Sequence, residues 1–531
     1  PACVDFEFLW SVVEMWSRAG EGEAWAGARA ACEATMRAFV LHPMYARAIP
    51  NLVADAARAK KRKTTDSTDD ERSAGGARSS APGFICDTIA RVARAAESMD
   101  VDALRLAPWV LRAACEQDAN ERKPTASSSA NKSSESVSKD ARALFVELFE
   151  PIAAAFVTVP TGGKGKRHVD EGAASALVDA LVGLLDIAVD FKIYSPLEDE
   201  GRVESALQAF VTSVATVVKT NEVRDRGWSR VIGALSTLDL RLVEPHVKVM
   251  LTLLLVKSRD ARDECVAVTQ TMIKSFAEMR QLPEFMESVG EVVIEAMANG
   301  KEVNDALASE EVLVAFQDAA KTVPLRQTPD LMVICRKVFI TAYDGDEKPS
   351  GARAPYDSLD KLARVLQSAL GTCPIDAGEP LLPEAQACLE GFSEDIAQRL
   401  HSHVESSPAR TGALLRAYVP VASLRQGLSE VADATARDSY FRSESVDLTD
   451  IVRHLVRDSP RTKQEHENAE AAAIGCAIQR VNNLSRLRYP REDVSPEESA
   501  KAGSEIKSLL SACLKLVPDT STTSFDAPDS K

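Results

Sequence analysis

A chain of 531 residues exceeds what one ordinary compact core fills, so several domains or one extended repeat array is expected. Apolar residues at 45% and charged residues at 27% are the proportions of a soluble globular protein, and few aromatics (5%) beside abundant Ala, Leu, Val, Glu and Arg favour helix. The net charge of −16 argues against a protein whose whole surface embraces nucleic acid, though a local basic stripe is compatible with it.

The chain opens on "PACVDFEFLWSVVEMW", already inside a helical pattern and without an initiator methionine, and reads as part of a longer protein. Residues 1–57 read as N-terminal helices. Residues 58–82, "RAKKRKTTDSTDDERSAGGARSSAP", hold charge, Ser, Thr and Gly but nothing that builds a core, and read as a disordered linker. Within it Lys60, Lys61, Arg62 and Lys63 form a run that an import receptor can take in extended form through an acidic and aromatic groove. The Thr and Ser residues of "TTDSTDDE" follow, and phosphorylation there would set negative charge beside the cations. Helices return at 83–117, and a second, Ser-rich disordered linker spans 118–140. A central helical-repeat region covers 141–342, a loop 343–356, a C-terminal helical region 357–516 and a disordered polar tail 517–531.

Apolar residues three and four apart mark one-faced helices through the centre. Residues 172–191 offer Leu177, Leu181, Leu184, Leu185 and Ala188, and residues 202–219 offer Val203, Leu207, Phe210, Val214 and Val217. Further helices are expected at 226–240, 243–257, 262–280, 284–299 and 302–321. "FVTVP" at 156–160 is the nearest thing to a strand. Short corners imply antiparallel helix pairs. Comparable stripes begin near Leu177, Trp228, Cys265 and Val312, a spacing of roughly 40 to 50 residues, the size of a HEAT or armadillo unit. The fold expected is therefore all-α, an irregular α-solenoid of HEAT/armadillo-like antiparallel helix pairs with disordered linkers. Two or three compact helical bundles joined by the linkers are the rival.

The ten cysteines are scattered without a C-x-x-C pair, and read as reduced, buried small hydrophobes. No apolar run reads as long enough for a bilayer; the densest, "VKVMLTLLLV" at 247–256, is short and carries Lys248. Motifs for chemistry fail on their own terms. "TGGKGKR" at 161–167 lacks the first glycine and the Ser/Thr of a phosphate loop. His401 and His403 are two apart on a helix, about 160° round its axis, and cannot share a metal. "HENAE" at 466–470 ends in Glu470 where a zincin requires histidine. No catalytic residue, cofactor, metal or small-molecule substrate is expected, and no membrane partner. Arg480, Arg486, Arg488 and Arg491 in "QRVNNLSRLRYPRE" form a basic cluster that, with Tyr489, has the chemistry to meet RNA phosphate and a base face; the plainer reading is cations at a helix C-terminus.

"RQLPEF" at 280–285 lies between two helical runs. Pro283 biases Leu282 out of the α region, suits the first turn of the next helix, and places Glu284 near that helix's positive end. The surrounding stretch, "DARDECVAVTQTMIKSFAEMRQLPEFMESVGEVVIEAM" at 260–297, resembles the large nucleolar helical-repeat proteins that process the precursor rRNA of the large subunit. Arg280, Gln281, Leu282, Pro283 and Phe285 are the matching positions. The resemblance implies a non-catalytic scaffold in the nucleolus, whose partners are pre-ribosome assembly factors and precursor rRNA. It supplies no catalytic or binding residue. The family's characteristic C-terminal domain has no counterpart among these residues. Alternatives of the same architecture are nuclear-transport and chromatin-associated solenoids; one of another class is an enzyme's regulatory subunit.

Overall fold

The computed structural model describes residues 6–18, 26–40, 88–94, 100–121, 139–158, 171–194, 201–220, 227–258, 262–345, 356–374, 382–403, 408–431, 463–488 and 495–515. Among these residues there is helix and no strand. The chain divides into two compact units, Pro1–Leu253 and Leu254–Lys531, a boundary inside the region read from sequence as one repeat array.

The first unit holds α1 (Phe6–Arg18), α2 (Ala26–Val40), α3 (Val101–Glu121), α4 (Lys139–Thr158), α5 (Glu171–Asp190), α6 (Arg202–Thr220), α7 (Trp228–Leu238), α8 (Leu240–Val243) and α9 (Val247–Thr252). Here α3 packs on α5 and α5 on α7, while α4 packs on α6 and α6 on α9. The second unit holds α10 (Arg262–Glu278), α11 (Leu282–Ala298), α12 (Glu310–Lys321), α13 (Thr328–Gly345), α14 (Tyr356–Leu370), α15 (Leu382–His403), α16 (Pro408–Val431), α17 (Lys463–Arg488) and α18 (Pro496–Leu514). One row runs α10, α12, α14, α16, α17 and the other α11, α13, α15. From α3 to α7 in the first unit and from α10 to α14 in the second, the main neighbour of a helix is the one two places along, while α1 with α2 and α15 to α18 pack chiefly on the next helix in the chain. That packing order is the mark of an α-solenoid: each layer buries its apolar stripe on the next.

Side-chain ties between layers measure the period. Glu147 to Arg202, Val303 to Ser358, Gln317 to Thr372 and Asp344 to Arg399 are each 55 residues apart. Asp179 to Arg230 spans 51 and Glu287 to Lys337 spans 50. Gln270 to Glu311 spans 41, so the structural period runs from the lower end of the stripe spacing to slightly past its upper end. Arg336 meets Asp395 and Asp344 meets Arg399, so residue numbers rise together along α13 and α15 and the two run parallel.

The amount of polar surface on each helix decides its depth. Between Arg410 and Leu424, α16 is apolar nearly all round, and only Ser423 of that stretch is exposed. Two close approaches set the layer spacing. A Cβ at Gly290 of α11 would lie 2.1 Å from Val338 Cγ1 of α13, and one at Gly183 of α5 would lie 3.1 Å from the Pro108 ring of α3.

Several expected boundaries move. The 302–321 helix is broken: Asn304 and Ser309, both extended, cap a 3-10 turn (Asp305–Ala308) and α12, their side chains accepting from Ala306 N and Val312 N. The 243–257 helix becomes a 3-10 turn at Glu244–His246, α9 and a π turn at Leu253–Lys257, because Pro245 removes a donor. Leu282 is the first residue of α11 rather than lying outside it. "FVT" of the strand candidate ends α4. α3 reaches Glu121 and α4 starts at Lys139, inside the edges of the Ser-rich stretch; the rest of that stretch, and residues 58–82, lie outside the described residues. Finally, Gly172–Asp190 is long and apolar enough by composition to cross a membrane, which the sequence reading overlooked. In the fold α5 lies against α3, α4 and α7, and Asp179 pairs with Arg230.

Gly290 offers a direct check of the layer spacing. Gly290→Ala gains about 1 kcal/mol of helix propensity but forces Val338 aside, an overpacking cost of about 1–3 kcal/mol. A net loss is expected in chemical denaturation, relieved when Val338→Ala is added.

Candidate interaction surface

The corner at 280–285 shows how these helices join. Arg280 has φ +60°, the left-handed region, while Arg280 N donates to Ala277 O (3.0 Å) and Gln281 N to Phe276 O (2.9 Å). This pair of bonds is a Schellman motif closing α10. Lys192 (φ +51°) and Gly300 (φ +64°) close α5 and α11 in the same way. Leu282, Pro283 and Phe285 are buried, and the Phe285 ring lies 4.9 Å from that of Phe276. Arg280 is exposed and Gln281 half-buried. Every matched position thus has a role in making the corner.

One member of the basic cluster at 480–491 is already engaged within the fold. Arg480 is buried, and its Nε donates to Glu505 Oε1 of α18 at 3.0 Å. A guanidinium that is already paired inside a helix interface cannot meet a phosphate without breaking that pair. Arg486 and Arg488 lie in the last turn of α17, and Arg491 lies outside the described residues. Lys60, Lys61, Arg62 and Lys63 and the "TGGKGKR" loop also lie outside them. His401 and His403 both fall in α15, and no group of metal-ligating side chains stands together among the described residues.

Charge in the second unit is sorted by row. In the inner row, Lys361 of α14 is only 8% exposed and donates to Val303 O (2.8 Å) while pairing with Asp305 (2.6 Å) and Asp357. Asp360 of α14 takes Arg364 Nε (2.9 Å) and, from α16, Arg416 Nε (2.7 Å). Burial holds the Arg416 guanidinium below its ordinary range, and Asp360 opposes that shift. In the outer row the ties are wetter: Lys337 to Glu287 (2.7 Å), Arg336 to Asp395 (2.7 Å) and Arg399 to Asp344 (2.7 Å). Around them the outward faces of α11, α13 and α15 are rich in carboxylates. Glu284, Glu291 and Glu295 are exposed on α11, Asp330 and Asp344 on α13, and Glu384, Glu390 and Glu394 on α15. The apolar Val333 stands among them, 52% exposed. From sequence these glutamates looked like scattered solvated faces. Only the n to n+2 packing sets three such faces side by side.

The thiols are of another kind. Cys335, on α13, is fully enclosed and its pKa lies well above the ordinary value through burial; Cys373 is pushed up to about 12 by the same cause. Both behave as packing groups at neutral pH.

No family model matches the chain, and no curated protein matches it. Among solved structures it is similar to a circular tandem repeat protein with novel repeat topology, at 11% identity over 96% of this chain and 96% of that chain, TM-score 0.23. It is also similar to a homology model of the full-length AP-3 complex in an intermediate open conformation (12% identity, 97% and 78% of the two chains, TM-score 0.33) and to importin beta (10%, 95% and 80%, TM-score 0.21). The α-solenoid assignment stands on the packing order within each unit.

Two outcomes are expected here. Arg280→Gly relieves the left-handed strain and raises stability by about 1 kcal/mol in denaturant titration; a loss instead would show that the arginine side chain holds the corner. The second concerns acid. A hydrogen bond from Lys361 holds the Asp305 carboxyl below its ordinary value. That tie therefore stabilises above the usual carboxylate range and is lost as pH falls through the lowered value. Asp305→Asn is expected to reduce stability at neutral pH and to flatten the acid limb of a stability–pH curve.

Proposed function

We propose that the protein is a non-catalytic interaction scaffold that receives lysine- and arginine-rich protein segments on the outward face of α11, α13 and α15. The observation that carries this reading is the row of carboxylates on three adjacent parallel helices, beside which Lys337 is an exposed cation already tied to Glu287. Clustered charge of one sign raises the rate and specificity of encounter with a partner of the other sign, and repels phosphate backbones.

In its finer form the scaffold works in the nucleolus, on early large-subunit precursors. Support for that comes from the resemblance of residues 260–297 and from the Lys60–Lys63 run. The partners are then basic assembly factors and ribosomal proteins, with precursor rRNA held through them rather than through Arg480 and its neighbours.

The test is affinity purification from growing cells, with mass spectrometry and RNA sequencing, of the wild-type chain and of a Glu291→Lys/Glu394→Lys variant. Large-subunit assembly factors and unprocessed rRNA are expected with the wild type, and depleted with the variant. Cargo, chromatin or signalling proteins without precursor rRNA would sink the nucleolar form; an unchanged partner set in the variant would sink the acidic-face reading.

A further inference from the structure

We infer that the second unit contains a one-sided hinge: the seam between α13 and α15 yields, while the α14–α16 contact beside it acts as a stiff spine. This is independent of which partner the scaffold carries.

The two contacts lie one behind the other, and their chemistry differs. The spine is dry. α14 and residues 410–424 of α16 are buried on nearly every side, and the charges between them, Asp360 and Arg416, are 13% and 15% exposed. Pairs so poorly solvated are screened little by salt, and parting them would strand a charge away from water. Further along the same row Thr372 Oγ1 donates to Gln317 O at 3.0 Å, and Cys476 Sγ of α17 donates to Leu415 O of α16 at 3.1 Å.

The seam is different. At its centre stands Gly391, and a Cβ there would lie 2.4 Å from Arg336 Nη1. The contact therefore lays a guanidinium on the α15 backbone beside the buried apolar side chains of the two helices. Two ionic ties follow along the seam from that point. Arg336 reaches Asp395, and Arg399 forks onto Asp344, whose side chain is 50% exposed. Phe339 and Phe392 add an apolar contact with ring centroids 6.3 Å apart. Water can replace each ionic tie at small cost, and salt screens them. The neighbouring α11–α13 contact also carries an exposed pair, Lys337 to Glu287, but it is closed by Gly290 on Val338, an approach that water cannot replace. Motion at the α13–α15 seam, pivoting on α14–α16, changes the curvature of the outer row without opening the core. Movement of packed helices across a hydrated, charge-bridged contact is a shear of known type.

Distance distributions from pulsed electron resonance test this. Spin labels on non-natural residues, which leave the native cysteines in place, go at Ser288 and Gln398 to report the outer row. A second pair at Asp318 and Ser423 reports the spine row. Raising salt from about 0.1 M to about 1 M, which shortens the screening length from about 10 Å to about 3 Å, is expected to broaden the outer-row distribution and leave the spine-row distribution unchanged. Arg336→Gln/Arg399→Gln is expected to give the broad outer-row distribution already at low salt. An outer row that stays narrow under both treatments overturns the hinge. So does a spine row that broadens in step with it, because the unit would then be loosening as a whole.

Discussion

No helix here can cover its own apolar stripe, and the rest of the structure follows from where each finds cover. An isolated helix of these lengths is marginal in water, so its stripe must be buried. Through the middle of each unit the cover comes chiefly from the helix two places along, as α4 on α6, α11 on α13 and α12 on α14. The arrangement has a consequence for surface chemistry. Each row brings like faces of successive helices into line, so a residue type repeated at one position of the pattern becomes a continuous strip. Apolar residues at the inner positions make the core. Glutamates at the outer positions of α11 and α15, with aspartates on α13, make the acidic face.

Much of this was legible in the sequence, and what was not has physical causes. Spacings of three and four located α5, α6, α10 and α11 and named the buried stripes of α5 and α6 except at Val217, which is half-buried while Val218 is buried, because an amphipathic stripe is a local signal. The boundaries at Asn304, Ser309 and Pro245 were missed for a related reason: apolar periodicity runs through a capped break when Val303, Leu307 and Val312 are all buried on both sides of it. The caps themselves were readable, since Ser309 stands three residues before Val312, whose N–H it accepts. The acidic face was not readable at all. Glu291 and Glu394 are far apart in the chain, and only the packing order relates them. Nor was the fate of Arg480, whose partner Glu505 sits 25 residues away on the next helix.

The corner at Arg280 shows how a short motif acquires two meanings. Its left-handed arginine, buried proline and stacked phenylalanines are what any tight helix–helix corner in such an array rewards. Lys192 fills the same left-handed position after α5 in a wholly different sequence context. A corner set by backbone geometry recurs wherever the geometry recurs, so its residues speak for the architecture first.

Buried charge in the second unit follows the same division between what the fold requires and what it permits. Lys361 and Arg416 are costly groups to enclose, and replacing such a pair with well-packed apolar residues is often neutral or stabilising. What they do achieve is register. Lys361 meets Val303 O and Asp305 only when α14 stands in one position against the turn before α12, and Arg416 meets Asp360 only when α16 stands in one position against α14. Apolar stripes built from Ala, Leu and Val can slide past one another by a turn with little penalty; a buried cation displaced by one turn loses its partner. The inner row needs that discrimination because residues 410–424 of α16 are apolar almost all round and expose little but Ser423 to orient the helix. The outer row has wet faces on every helix, orients itself by them, and can leave its own ion pairs exposed.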